Sequence, residues 1–301
     1  MNYVLKLNET EAKKVIMFYR DYQKQTNNMT VLFFAKTDLV SITIYKSFKV
    51  MFQGTDAVNE YNMWNVMLKK ETVVTKEKAS KQIPNNYFLT SIGSDEVGTG
   101  DFFGPVVVCA AYITPDLIEF LQSLGIDDSK KITDDKIRVI GEQLKDKVTY
   151  SMLALHNDKF NEMTKRGYNM NKLKAYLHNS AILQLSKKVP STTVVLDQFC
   201  DPGLYFKYLN QEQNIFRDIT FTTKAESKYA SVAVGSIIAR YAFLQYFDLM
   251  IEESGYPLLK GASKKVDQQV ALIIKEKGES FLNKYAKTNF VTLQKAKDLL
   301  A

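Results

Sequence analysis

Four acidic residues occupy positions from which carboxylates could act together. Asp95 and Glu96 stand side by side in SIGSDEVGTGDFFGPVVVCA, residues 91–110, just after an apolar run that ends at Ile92. Asp197 closes the apolar stretch Thr193-Val194-Val195-Leu196. An acid at the C-terminal end of a buried strand lies at the mouth of an α/β sheet, where ligands bind. Glu226 follows the last predicted strand and precedes a long helical pattern. Each acid has a plainer reading: an exposed acidic turn for Asp95-Glu96, a turn or cap for Asp197, a first-turn helix acid for Glu226. Together they say more, because one sheet would bring three separate strand ends to one side. Clustered carboxylates repel one another unless cations neutralise them. Oxygen-only ligands favour magnesium or manganese. Two such ions about 4 Å apart can activate water and stabilise the leaving oxygen of a phosphodiester.

Successive strand residues face opposite ways. In an unbroken strand Asp95 and Glu96 could not share a site. The expectation is therefore that the glycines after them permit a turn that swings Glu96 back toward Asp95. Gly98-Thr99-Gly100 exposes bare backbone able to meet a phosphate or sugar; a plain tight turn is the alternative. Lys130 and Lys131 could hold phosphates through charge, or form only an exposed cationic loop. His178 sits on a helical pattern, where it could face a substrate or serve as a structural hydrogen-bonder; His156 reads as structural. Other patterns fail. Gly98-x-Gly100 is not a dinucleotide fingerprint, since Phe103 stands where the third Gly should be and a strand follows instead of a helix. No phosphate-loop GKS or GKT occurs. Asp127, Asp128, Asp134 and Asp135 lack calcium-loop spacing.

The elements that must position these residues fall into two groups. The first is strand, helix, three strands, helix: a strand over 2–7, a helix capped by Asn8 or Thr10 and running to about residue 23, strands at 30–35, 40–45 and 48–52, and a helix over 55–68. This makes a small α+β domain, 1–68, with one sheet face open. Residues 69–86, Lys-rich and ending Pro-Asn-Asn, read as a linker, either a solvated hinge or a phosphate-contacting strap. The second group, 87–301, has strands at 87–95, 106–113, 148–155, 192–196 and 218–222. Its helices fall at 115–124, 134–144, 170–187, 228–253, 264–278 and 292–299. Successive strands followed by strand–helix alternation predict an α/β fold, a mixed sheet with helices on its faces.

Composition agrees with a globular chain of two domains: 301 residues, 46% hydrophobic and 24% charged. The net charge of +7 favours a polyanionic partner. Cys109 and Cys200 fit neither a zinc spacing nor a disulfide framework, which points to a reducing compartment. No signal peptide is visible, and no apolar run approaches the roughly 20 residues of a membrane span. A cytoplasmic protein is expected.

DEVGTGDFFGP resembles the signature of type 2 ribonucleases H, and Thr99, where ribonuclease HII usually has Arg, makes it similar to ribonuclease HIII. The resemblance continues at DSKK from Asp128, YLHNSA from Tyr176, LDQF from Leu196, KAESKYASVAVGSIIAR from Lys224 and KGASKKVD from Lys260. It implies a ribonuclease H-like catalytic domain preceded by a substrate-binding domain similar to half of a TATA-binding protein. It further implies that Asp95, Glu96, Asp197 and Glu226 bind two Mg2+ or Mn2+ ions, with Asp95 bridging them. Glu226, in place of the Asp usual in ribonuclease HII, suits the HIII branch. The implied activity is cleavage of the RNA strand of RNA/DNA hybrids, leaving 5′-phosphate and 3′-hydroxyl ends. Gly98, Thr99 and Gly100 would read 2′-hydroxyls. Gly235 and Leu259 depart from the pattern, where Ala and Pro are expected, and residues 287–290 follow it loosely. Two rival readings are a non-catalytic nucleic-acid-binding protein and a ribonuclease HII-like activity at single ribonucleotides in DNA. The expected oligomeric state is a monomer with no obligate protein partner.

Overall fold

The computed structural model of the chain describes residues 2–26, 28–68, 87–126 and 132–300. Two compact units divide it, Met1–Gln82 and Ile83–Ala301. The linker expected at 69–86 lies outside the described residues.

In the first unit β1 (Asn2–Lys6), β2 (Val31–Lys36), β3 (Val40–Tyr45) and β4 (Lys49–Gly54) form an antiparallel sheet in the order β1-β4-β3-β2. Between β1 and β2 runs α1 (Glu9–Tyr19), started by a reciprocal cap: Asn8 accepts from the Glu11 amide and Glu11 accepts from the Asn8 amide. After β4 comes α2 (Ala57–Met67). Alternation sends Leu5, Phe33, Ala35, Ile42, Ile44, Val50 and Phe52 to one side, where they pack with Val15 and Tyr19 of α1 and Trp64 of α2. Val4 and Leu32 remain exposed.

The second unit is built on a five-stranded sheet of β5 (Ser91–Val97), β6 (Val106–Ile113), β7 (Thr149–Leu155), β8 (Thr193–Asp197) and β9 (Ile219–Thr222), in the order β7-β6-β5-β8-β9. β5 pairs antiparallel with β6 and parallel with β8, and β8 pairs parallel with β9. The C-terminal ends of β5, β8 and β9 therefore lie at one end of the sheet. β6, VVVCAAYI, is buried almost throughout, as a central strand covered on both faces must be.

Between β6 and β7 lie α3 (Ile118–Ser123) and α4 (Asp134–Lys145), followed after β7 by α5 (Asn157–Lys165) and α6 (Met170–Ser186). Next come α7 (Pro202–Tyr208), after β8, and α8 (Ala230–Ser254), after β9. The chain finishes with α9 (Lys264–Lys277), α10 (Leu282–Tyr285) and α11 (Val291–Asp298). α8 crosses the sheet on one side and α6 packs on the other. The α8 crossing is close because glycines meet there. A Cβ on Gly93 would fall 2.2 Å from the Val232 nitrogen, and one on Gly235 would fall 2.9 Å from the Cys109 carbonyl oxygen.

Two expectations change. The strand expected from residue 87 begins at Ser91; the Tyr87 carbonyl instead accepts from the Ala230 amide at 2.7 Å and tethers the start of α8. Helices α5, α7 and α10 were not foreseen. NDKFNEMTK is mostly polar, and α7 opens on Pro-Gly, which reads as a turn although Pro suits the first helical position.

Candidate active site

The strand does not break where a turn was expected. β5 continues through both acids to Val97, with Asp95 opposite Cys109 and Glu96 opposite Val108. The glycines therefore do not swing Glu96 back. Alternation sends the two side chains to different helices, Asp95 to α8 and Glu96 to α6.

On the α8 side, Asp95 takes a hydrogen bond from the Ser236 hydroxyl, and its Oδ1 accepts the Glu96 amide at 2.8 Å. The Gly93–Gly235 contact allows this, since it sets α8 directly on the strand beside Ser236. Burial, then the charges of Glu96 and Asp197, push the Asp95 carboxyl up to about 8 against those hydrogen bonds.

On the α6 side, both Glu96 oxygens are engaged. Lys174 Nζ lies 2.5 Å from Oε1 and His178 Nε2 lies 2.9 Å from Oε2. Burial would raise this carboxyl, but the hydrogen bond and charge of His178, with Lys174, outweigh it and hold it below its ordinary value. His178 is fully buried, and its Nδ1 lies 2.7 Å from Ser94 Oγ. The ring thus links the Ser94 hydroxyl to the Glu96 carboxylate. Phe199 stacks on the imidazole at 5.4 Å and lies 4.0 Å beneath the Lys174 ammonium. Of the two readings of His178, these contacts are those of a structural hydrogen-bonder that stands behind Glu96.

Asp197 ends β8, and its Oδ1 accepts the Ala225 amide at 2.9 Å. The chain leaves β9 through Lys224, at φ 55°, into a tight 3-10 turn, Ala225–Ser227, that carries the buried Glu226. The parallel β8–β9 pairing bolts this turn to the end of β8.

Gly98, Thr99 and Gly100 follow β5, but they are not alike. Gly98 has φ +89°, and a Cβ there would lie 2.1 Å from the Pro105 carbonyl oxygen, so it is packed inward. Around Gly100 a Cβ would meet nothing within 4 Å. Room for a ligand thus begins at Thr99 and Gly100. Lys130 and Lys131 lie outside the described residues. His156 packs edge-on against Tyr246 at 4.9 Å.

Among the described residues no three His, Cys, Asp or Glu side chains already converge as a metal cage. Glu96 is instead held by Lys174 and His178 of α6. The donor chemistry nonetheless fits a hard divalent cation, since the acids at the strand ends supply oxygen only and Asp95 is raised by its acidic neighbours.

Sequence reasoning missed Lys174, Ser94 and Ser236. A signal existed for Lys174. It stands one turn before His178 on the stripe shared with Ala181, Ile182 and Leu185, and a lysine on a buried stripe must have a partner.

A mixed sheet with acids at the ends of its parallel strands defines a class of α/β nuclease-like domain, and comparison with known proteins makes the class specific. The family model described as Ribonuclease HII matches residues 92–293, and one described as a domain of unknown function (DUF3378) matches residues 2–80. The chain is 41% identical over 300 residues to Ribonuclease HIII of Listeria monocytogenes serotype 4b (strain F2365), covering 98% of this chain and 97% of that one. It is 41% identical over 305 residues to Ribonuclease HIII of Bacillus cereus (strain ATCC 14579), covering 99% and 98%. The crystal structure of Bst-RNase HIII in complex with Mn2+ matches with a TM-score of 0.69 at 34% identity, covering 99% of each chain. The chain belongs to the ribonuclease HIII family and is a ribonuclease H hydrolase.

Proposed function

We propose that this protein hydrolyses the RNA strand of RNA/DNA hybrids at the shared end of β5, β8 and β9, leaving 5′-phosphate and 3′-hydroxyl ends. The observation that carries this reading is the placing of Asp95-Glu96 and Asp197 near the C-terminal ends of the neighbouring parallel strands β5 and β8, in a chain of this family. Asp95, Glu96, Asp197 and Glu226 would hold two Mg2+ or Mn2+ ions, in keeping with the Mn2+ complex of Bst-RNase HIII. When bound, such ions supply activation of water and charge stabilisation at the leaving oxygen.

The remaining work belongs to the chain. Asp95 lies beside Glu96 on β5, the strand next to the one that Asp197 ends. Ser236 and the Glu96 amide fix its rotamer, and Lys174 and His178 fix that of Glu96. Thr99 and Gly100 read the ribose 2′-hydroxyl, the group that separates RNA from DNA. Lys130 and Lys131 contact phosphates. The 1–68 domain grips the hybrid through its sheet and basic residues, joined to the 87–301 catalytic domain by the 69–86 linker. The protein acts as a monomer in the cytoplasm, a compartment that suits its free thiols.

Asp95→Asn tests the assignment on a labelled hybrid. Cleavage should be abolished while hybrid binding stays measurable. Full activity with magnesium in this variant would overturn the assignment. A parallel substrate carrying one ribonucleotide in DNA should be cut poorly by the native protein.

A further inference from the structure

Lys287 is completely buried, and no role in the site above uses it. It lies between α10 and α11, on a segment that closes over the chain just beyond the Thr99–Gly100 opening. Its Nζ donates to the Asp101 carbonyl at 2.8 Å and to the Gly104 carbonyl, while its backbone amide donates to the Phe102 carbonyl at 2.8 Å. Among the described residues neither the Asp101 nor the Gly104 carbonyl has another donor. The grip extends along the stretch. The Gly104 amide donates to Tyr285, Phe103 bridges Ala286, the Phe102 amide donates to Gly261, and the Gly261 amide donates to Asp101 Oδ1 at 2.6 Å.

A lysine is a costly choice for this position. Burial pushes its amine down to about 7, only partly opposed by Asp101, and a methionine would fill similar space without that cost. What the amine adds is a pair of donors that tie together two carbonyls three residues apart. At the other end, Gly98 is wedged against the Pro105 carbonyl and the Phe243 ring. The open residues Thr99 and Gly100 are therefore strung between two fixed posts, and Lys287 is the fastening of the second.

We propose that Lys287 is a positioning residue for ribose recognition: it fixes the downstream end of the Thr99–Gly100 loop, and thereby sets how strongly the protein prefers RNA/DNA hybrid over DNA duplex. The inference rests on the proposed reading of that loop.

The test compares dissociation constants for an RNA/DNA hybrid and a DNA duplex of the same sequence, in Ca2+ without cleavage, for native protein, Lys287→Met and Gly100→Val. Lys287→Met should lower the preference for hybrid by about tenfold, the factor that one net hydrogen bond gives. In cleavage assays KM should rise more than kcat falls. An unchanged preference, or equal weakening for both duplexes, overturns the proposal and leaves a structural role only. Gly100→Val, where the added atoms meet open space, separates the two layers. If it abolishes the preference while Lys287→Met does not, the loop reading stands and the Lys287 proposal falls. If it leaves the preference intact, both fall. Should Lys287→Met not fold, Lys287→Gln keeps a donor and should give an intermediate preference, with no change again overturning the proposal.

Discussion

The ammonium of Lys174 lies 2.5 Å from Glu96 Oε1, with both side chains about nine-tenths buried. An acid of the candidate site therefore already has a cation of its own, supplied by the helix behind it. Removing one partner of such a pair leaves an uncompensated charge and costs about 3 kcal/mol.

Lys174→Met should consequently lower stability by about that amount in chelator, and by less in manganese, since a divalent ion can supply the missing positive charge. Urea denaturation under the two conditions measures it. Equal losses in both would show that the lysine and the ions do not share Glu96.

His178→Ala should do two kinds of damage. It strands the Ser94 hydroxyl and one Glu96 oxygen, at about 2 kcal/mol of stability. It also frees Glu96 to rotate, which should reduce kcat more than hybrid binding. Steady-state kinetics with separate binding measurements would show the split. A substrate-contacting histidine would instead weaken binding first.

The two glycines under α8 should respond unequally. Gly93→Ala would force its Cβ to 2.2 Å from backbone and should cost about 3 kcal/mol, with loss of activity as Ser236 leaves Asp95. Gly235→Ala meets the Cys109 carbonyl at 2.9 Å and the Gly93 carbonyl at 3.2 Å and should cost about 1 kcal/mol. Thermal melts of both variants give the order.

Lys287 should leave a signature in the pH dependence of stability. Burial depresses its amine to about 7 in the folded chain, against the charge of Asp101, and the amine returns to its ordinary value near 10.5 on unfolding. Between those values the unfolded chain binds more protons, so stability rises with pH. From pH 7 to 9 the gain should be on the order of 2 kcal/mol. Lys287→Met should lose that slope while keeping the rest of the profile, as denaturation at the two pH values would reveal.

The sequence carried much of this in its periodicities. Alternation in Val40–Tyr45 and the apolar block at Val106–Ile113 announced strands at the observed places, and an acid after Leu196 announced a strand end. What stayed hidden depends on contacts between distant segments. Nothing local to Asp95-Glu96 says that α6 supplies Lys174 and His178 to one acid while α8 supplies Ser236 to the other. The expected turn at Glu96 failed for the same reason: β5 runs on to Val97, and each acid meets its own helix on its own face of the sheet. Lys287 lay in a stretch that follows the family only loosely, and its burial shows no local pattern.

The tie from Lys287 to Asp101 spans 186 residues of chain. Contacts so far apart in sequence close late, because the intervening loop must be ordered first. As the chain emerges from the ribosome, the loop after β5 cannot be fastened at Asp101 until the segment carrying Lys287 has also been made.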